Sequence, residues 1–215
     1  MTDQTAEQTS TAIGFGYAEI AYLLKRAPTP EAEMSATVLR LTEEVDSDVL
    51  PVAGASSLLG RGFASIVDDD IEMQEAAVPV AYALGRATLW TEISLIRDDI
   101  IDTVVHIESD PVKILMQPRT LFTWFVYALD PDASGPDAEL EVIQEHVRQH
   151  PGGTAMLRAR ISGADALLLV RPDGGGWAVG SVEDDAGDVV ERTGLTDREL
   201  RDAIAELRTT LVASP

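Results

Sequence analysis

Between residues 166 and 182 the chain reads ALLLV, then RPDGGG, then WAVGSV. The two flanking runs are short and apolar or alternating, the pattern of strands. Asp173-Gly174 between them is a strong reversal signal, because glycine takes positive φ without steric cost. A phosphate-cradling loop would need a helix after the glycines, so that amides and helix dipole converge on the anion. WAVGSV alternates instead, and Trp177 anchors a return strand. The stretch therefore specifies a hairpin, and with it an antiparallel sheet.

Other segments extend that sheet. TEISLI (91–96) and DTVVHIES (102–109) alternate polar and apolar residues. VKILM, then TLFTWFVYAL after Pro118, supply two more strands, the aromatic-rich one placed at or near the sheet centre. TAMLRARI, ALLLVRP and GWAVGSVED follow, with GDVVERT as a further candidate.

Helices surround the strands. Thr29 caps and Pro30 opens one predicted helix running to Val45, with Met34, Val38, Leu41 and Val45 facing the core. VAGASSLLGRG is a short helix stopped at Gly60 or Gly62. FASIVDDDIEM turns as a hairpin at its aspartates. A helix starting near Val78 carries Val80, Leu84 and Ala87. AELEVIQEHVRQH presents Leu140, Ile143 and Val147. In the last helix Thr196 and Glu199 form a capping box, Leu195 and Leu200 a hydrophobic staple, and Leu200, Ile204, Leu207 and Leu211 the buried stripe. Residues 13–26 are an apolar segment of either helix or strand.

No repeat of fixed period is visible. The expected fold is α+β: a central, mainly antiparallel sheet with helices packed on it, helical at the N-terminal side and closed by the capped helix. Residues 1–12 read as a disordered tail. Residues 13–213 read as one domain, with a helical lobe at about 13–89 and a sheet-rich lobe at about 90–213.

Composition narrows the chemistry. The 215 residues contain no cysteine, which excludes disulfides, thiolate metal sites and cysteine nucleophiles. Sixteen basic against 37 acidic residues give a net charge of −21. Such a surface repels phosphate backbones, so no nucleic-acid partner is expected. The acids are spread along the chain, as solubility alone would have them. Arginine far outnumbers lysine, a bias of high-GC genomes such as the actinobacterial ones. The most apolar run, AIGFGYAEIAYLL, is interrupted by Glu19 and has a polar flank without basic residues. No membrane span or signal peptide is read there, and a cytoplasmic protein is expected.

Catalytic motifs do not emerge. GASSLLG lacks the nucleophile elbow. His106-Ile107-Glu108 echoes the H-x-E of zinc deaminases, which also need two cysteines. His146 and His150 lie four apart on a predicted helix and are the candidate metal pair, with His106 or a carboxylate as a third ligand. Their plainer role is to favour the helix C-terminus. Asp68 to Asp70 lack the alternation of a calcium loop. Candidate ligand-binding residues are Arg119, for an anion, with Trp124 and Tyr127 on a strand that is either core or a ligand-facing surface. No catalytic residue and no cofactor are assigned.

From residue 56 to 96 the order is a short helix ending SSLLGRGF, an acidic turn DDD, an Ala-rich helix AAVPVAYALGRA and a strand TEISLI. With the terminal TGLTDRELRDAIAELRTTL, this resembles the EspG-type chaperones of the mycobacterial ESX (type VII) secretion systems. The resemblance implies an α+β fold and a cytosolic role holding helical secreted substrate pairs. It carries no binding residue across. The functional expectation is a non-catalytic acidic protein that binds a protein partner, its oligomeric state open. The alternatives are a small-molecule enzyme using carboxylates or histidines, and a helix-turn-helix regulator suggested by the cadence of SSLLGRGF and DDDIEM.

Overall fold

The computed structural model describes residues 12–182 and 189–213. Residues 1–11 of the predicted tail and the junction of the last two predicted strands lie outside them. In chain order the elements are β1 (Ile13–Gly16), α1 (Tyr17–Arg26), α2 (Pro30–Leu39), α3 (Thr42–Asp46), α4 (Leu50–Arg61), β2 (Ala64–Val67), β3 (Asp70–Met73) and α5 (Ala77–Arg86). Then come β4 (Leu89–Arg97), β5 (Ile100–Glu108), β6 (Lys113–Arg119), β7 (Thr123–Ala128), α6 (Gly135–Gln149), β8 (Thr154–Ile161), β9 (Ala164–Asp173), β10 (Gly176–Val182), β11 (Val189–Leu195) and α7 (Asp197–Ala213). Nine strands form one sheet in the order β1-β7-β6-β5-β4-β8-β9-β10-β11, and β2 pairs with β3 alone. Every pairing is antiparallel. This is the α+β architecture expected from the sequence, and RPDGGG turns the β9–β10 hairpin as read.

The sheet has an internal duplication that the sequence hides. From the central β4–β8 pair, β5, β6 and β7 step outward on one side, and β9, β10 and β11 on the other. A helix follows each run. The register repeats as well. Ile93 pairs with Val104 and Ile107 with Ile114, while Leu157 pairs with Leu168 and Arg171 with Ala178. Each residue of the second set stands 64 positions after its counterpart in the first.

Because strand side chains alternate, the sheet feeds two cores. Trp90, Val105, Ile107, Met116 and Trp124 face the N-terminal helices and meet Phe15, Ile20, Leu58 and Leu84. Ile93, Val104, Leu157, Leu168 and Val179 face the other way, under Ile143 of α6 and Leu200, Ile204 and Leu207 of α7. The two helical layers therefore cover opposite faces.

The charge that interrupts the first apolar run has a defined place. Glu19 is buried at the start of α1. Its carboxylate accepts from Gly16 N (2.9 Å), Ser57 Oγ (2.7 Å) and Arg61 Nη1 (2.6 Å). Arg61 also donates to Gly14 O on the edge strand β1 and lies 4.6 Å over the Phe63 ring. A fully partnered buried charge avoids the desolvation penalty of an isolated one.

Three expectations are corrected. The helix read from Pro30 to Val45 breaks at Arg40, which is left-handed (φ 57°). There Leu41 N bonds Ala36 O, and the Leu41 side chain turns into the core. The aromatic strand β7 lies second from the edge, because Ile13–Gly16 is extended and pairs outside it. DDDIEM forms the β2–β3 hairpin as read, with Asp68 and Asp69 at φ 48° and 64°; what is corrected is the helix-turn-helix alternative, since no recognition helix follows α4. Pro79 causes no break, since it sits in the first turn of α5, where amides have no intrahelical partner.

The α7 cap is built as read: Thr196 N and Oγ1 donate to Glu199 Oε2 at 2.8 Å, and Glu199 N donates to Thr196 Oγ1 at 3.3 Å. These bonds, the one from the Thr196 amide foremost, hold the Glu199 carboxyl below its ordinary range. A carboxyl depressed in the folded state contributes stability above its unfolded value and loses it as pH falls through its folded value. Thr196→Ala should cost about 1 kcal/mol near neutral pH by urea denaturation. The gap from wild type should narrow in strong acid. A second variant tests the α1–α4 contact. A Cβ on Gly54 would lie 1.9 Å from Ala18 O, so Gly54→Ala should destabilise by roughly 1–3 kcal/mol.

Candidate functional site

On the α6 side of the first run a groove of about 630 Å³ separates the helix from the sheet. Leu95, Val104 and Leu115 form its floor, and Val142 of α6 forms part of one wall. The duplication explains why it exists. In the second run α7 closes over the sheet, and Val179 beneath it is 2% exposed. Leu115 stands at the matching position of the first run and is only half-buried. There α6 packs toward β4, β8 and α7, near the middle of the sheet, and leaves the outer strands less covered.

Four of the residues singled out from sequence meet in this groove: Arg119, Tyr127, His146 and His150. Trp124 does not. It is one residue out of phase with Phe125 and Tyr127 and is buried in the opposite core. The run WFVY is thus both things at once: Trp124 and Val126 are core, while Phe125 and Tyr127 face the other side. Arg119 lies 5.5 Å over the exposed Phe125 ring and donates to Gln117 Oε1. At the same end of the sheet the β6–β7 turn exposes Leu121 and Phe122, both left-handed. Bulky apolar residues rarely hold that conformation.

Among the described residues, no third donor converges with His146 and His150. Their rings meet edge to face at 5.3 Å, and His146 Nε2 lies 3.1 Å from Ile96 O, to which it donates. Gly153 makes room for that ring, since a Cβ there would lie 2.6 Å from Nε2. Among the described residues, the group of three converging donors is elsewhere: His106, Glu108 and Glu139. His106 and Glu139 are fully buried, with Nδ1 and Oε1 2.9 Å apart. Arg208 of α7 hydrogen-bonds Glu108, and its Nη1 stands 3.9 Å from Glu139 Oε1. A guanidinium already sits among these donors, so the set is an ion network tying β5 to α6 and α7. Gly135 leaves the space that Arg208 enters.

This network was not read from the sequence. The inner face of α6 is Glu139, Ile143 and His146, whereas Leu140 and Val147 are only half-buried. The available signal was the i, i+4, i+7 spacing of Glu139, Ile143 and His146, which hydrophobicity overlooks. The fold does not demand polarity here. The position 64 later than His106 is Val170, buried in an apolar core.

By sequence the chain matches no family model and no curated protein. By structure, 11 solved chains match it. One is the Mycobacterium tuberculosis type VII secretion system chaperone EspG5, solved in complex with a PE25-PPE41 dimer. The TM-score is 0.60 at 10% sequence identity, over 95% of this chain and 98% of that one. The likeness is one of fold. It carries the resemblance seen in residues 56–96 to nearly the whole chain. No helix among the described residues is long and apolar enough to cross a membrane.

Glu139→Ala should destabilise by about 3 kcal/mol, because it leaves His106 buried without its partner. The double variant His106→Val, Glu139→Ala replaces the pair by apolar residues, as at Val170 of the second run, and should recover much of that loss. Chemical denaturation of both variants checks the coupling.

Proposed function

We propose that this chain is a non-catalytic, secretion-chaperone-like protein that holds a helical segment of a protein partner in the groove between α6 and the outer strands. The observation that carries the reading is the half-open floor around Leu115, whose counterpart Val179 lies under α7. A surface that accepts a helix in one run is presented incompletely in the other. An amphipathic helix laid on an apolar groove is a recurrent mode of recognition. The exposed Phe125, under Arg119 and on the same face as Tyr127, extends the apolar surface such a partner would cover. The fold likeness to a chaperone solved with a protein dimer supports the same reading. So does a surface of net charge −21, which offers nucleic acid no basic footprint. A cytoplasmic place of action belongs to this proposal.

The test is co-expression with helical candidate partners, beginning with a PE25-PPE41 dimer like that bound by the structural neighbour, followed by size-exclusion chromatography with light scattering. A stable complex of defined stoichiometry is the expected result. Tyr127→Asp and Val142→Asp place charge in the groove and should weaken the complex by roughly tenfold or more, with melting temperature little changed. Binding indifferent to both variants would rule out the groove, and separate elution from every helical candidate would rule out the reading.

A further inference from the structure

Arg97 ends β4 on the face of Ile93 and Leu95, and its side chain lines the groove. It is part-buried, and its Nε is inaccessible with no hydrogen-bond partner. No carboxylate stands within ion-pair distance of it among the described residues. Nine other arginines, Arg40, Arg61 and Arg208 among them, each have such a carboxylate. In a chain with 37 acids to 16 bases, a part-buried arginine without a counter-charge is the exception. Arg160 also has an unpartnered buried Nε, but it pairs with Trp90 on the opposite face, away from the groove.

Partial desolvation of a guanidinium is unfavourable until an anion arrives, and the attraction is then stronger than in water. Its planar fork suits a carboxylate, which it can hold by two parallel hydrogen bonds. Arg119 lines the same groove and adds positive charge. The groove's own acids do not satisfy Arg97. Glu145 is engaged by Arg148 and Gln149, and Asp102 and Glu141 are exposed. Leu95, Val104 and Leu115 run from Arg97 along the floor, so the complementary ligand is a carboxylate on an apolar stem.

Resting on the docking reading above, we infer that the docked partner segment presents an acidic side chain to Arg97, and that this contact selects among partners. Selection by charge follows because an apolar or basic residue at that point would leave the guanidinium buried and unpaired.

Two measurements test it. Hexanoate is a carboxylate on an apolar stem, and the Arg97 Nε–H signal in a ¹H–¹⁵N spectrum, assigned through its loss in Arg97→Lys, reports contact. Hexanoate should shift that signal saturably and hexanol should not. An unmoved signal throughout the titration overturns the site. In the co-expressed complex, Arg97→Glu should weaken binding roughly tenfold or more, while Arg160→Glu should not. An acid-to-arginine change in the partner should restore binding to Arg97→Glu. If Arg97→Glu binds like wild type, this inference fails and helix docking stands. A hexanoate shift with no effect on the complex assigns the site to free carboxylates and overturns the partner contact. Failure of wild type to bind any helical partner removes both readings.

Discussion

The pairing of β4 with β5 is the constraint on which the rest depends. It runs without interruption from Leu89 opposite Glu108 to Arg97 opposite Ile100. Its alternate residues serve two different cores: Trp90, Val105 and Ile107 on one face, Ile93, Leu95 and Val104 on the other. A slip of one residue would exchange the faces and strand both sets. Because both faces are claimed, neither strand has freedom of register. The N-terminal helices and the α6–α7 pair take their places from that alternation.

Polar contacts then fix how each helical layer sits on the sheet. On the N-terminal side Trp90 Nε1 donates to Ser35 Oγ (2.9 Å), which donates to Leu84 O (2.8 Å), joining β4, α2 and α5. Glu19 and Arg61 do the same for α1, α4 and the edge strand β1. On the other side His106, Glu139, Glu108 and Arg208 connect β5 with both C-terminal helices. Buried ionic contacts of this kind add little net stability, because desolvation offsets the attraction. Their effect here is positional: α6 lies where Glu139 meets His106, and the groove lies on its outer side.

The two four-stranded runs share the register of their first three strands and differ in what covers them. The second run is closed by α7 with an apolar interior. The first is bound to its helix partly by charge, and its outer strands carry Phe125, Tyr127 and Arg119 toward solvent. A near-symmetric scaffold has thus been made asymmetric at the point where a ligand surface is useful. Fold likeness alone does not assign function; the half-open floor around Leu115 is the local feature that separates the first run from the second.

Much of the fold was legible because its signals are local. Asp173-Gly174 reverses the chain, Asp68 and Asp69 turn another hairpin, and Thr196 with Glu199 starts α7; each acts over three or four residues. Arg119, Tyr127, His146 and His150 could be named from their types, but nothing in the sequence placed them in one groove apart from Trp124. The duplication was invisible, since the buried His106 corresponds to Val170. The sequence by itself determined the strands, turns and caps, because backbone sterics and short-range hydrogen bonds specify them. Only the tertiary structure decided which strand is at the edge, which face each helical layer covers and where the sheet stays open. Those outcomes depend on contacts such as Arg208 with Glu108 and Trp90 with Ser35, which join segments far apart in the chain.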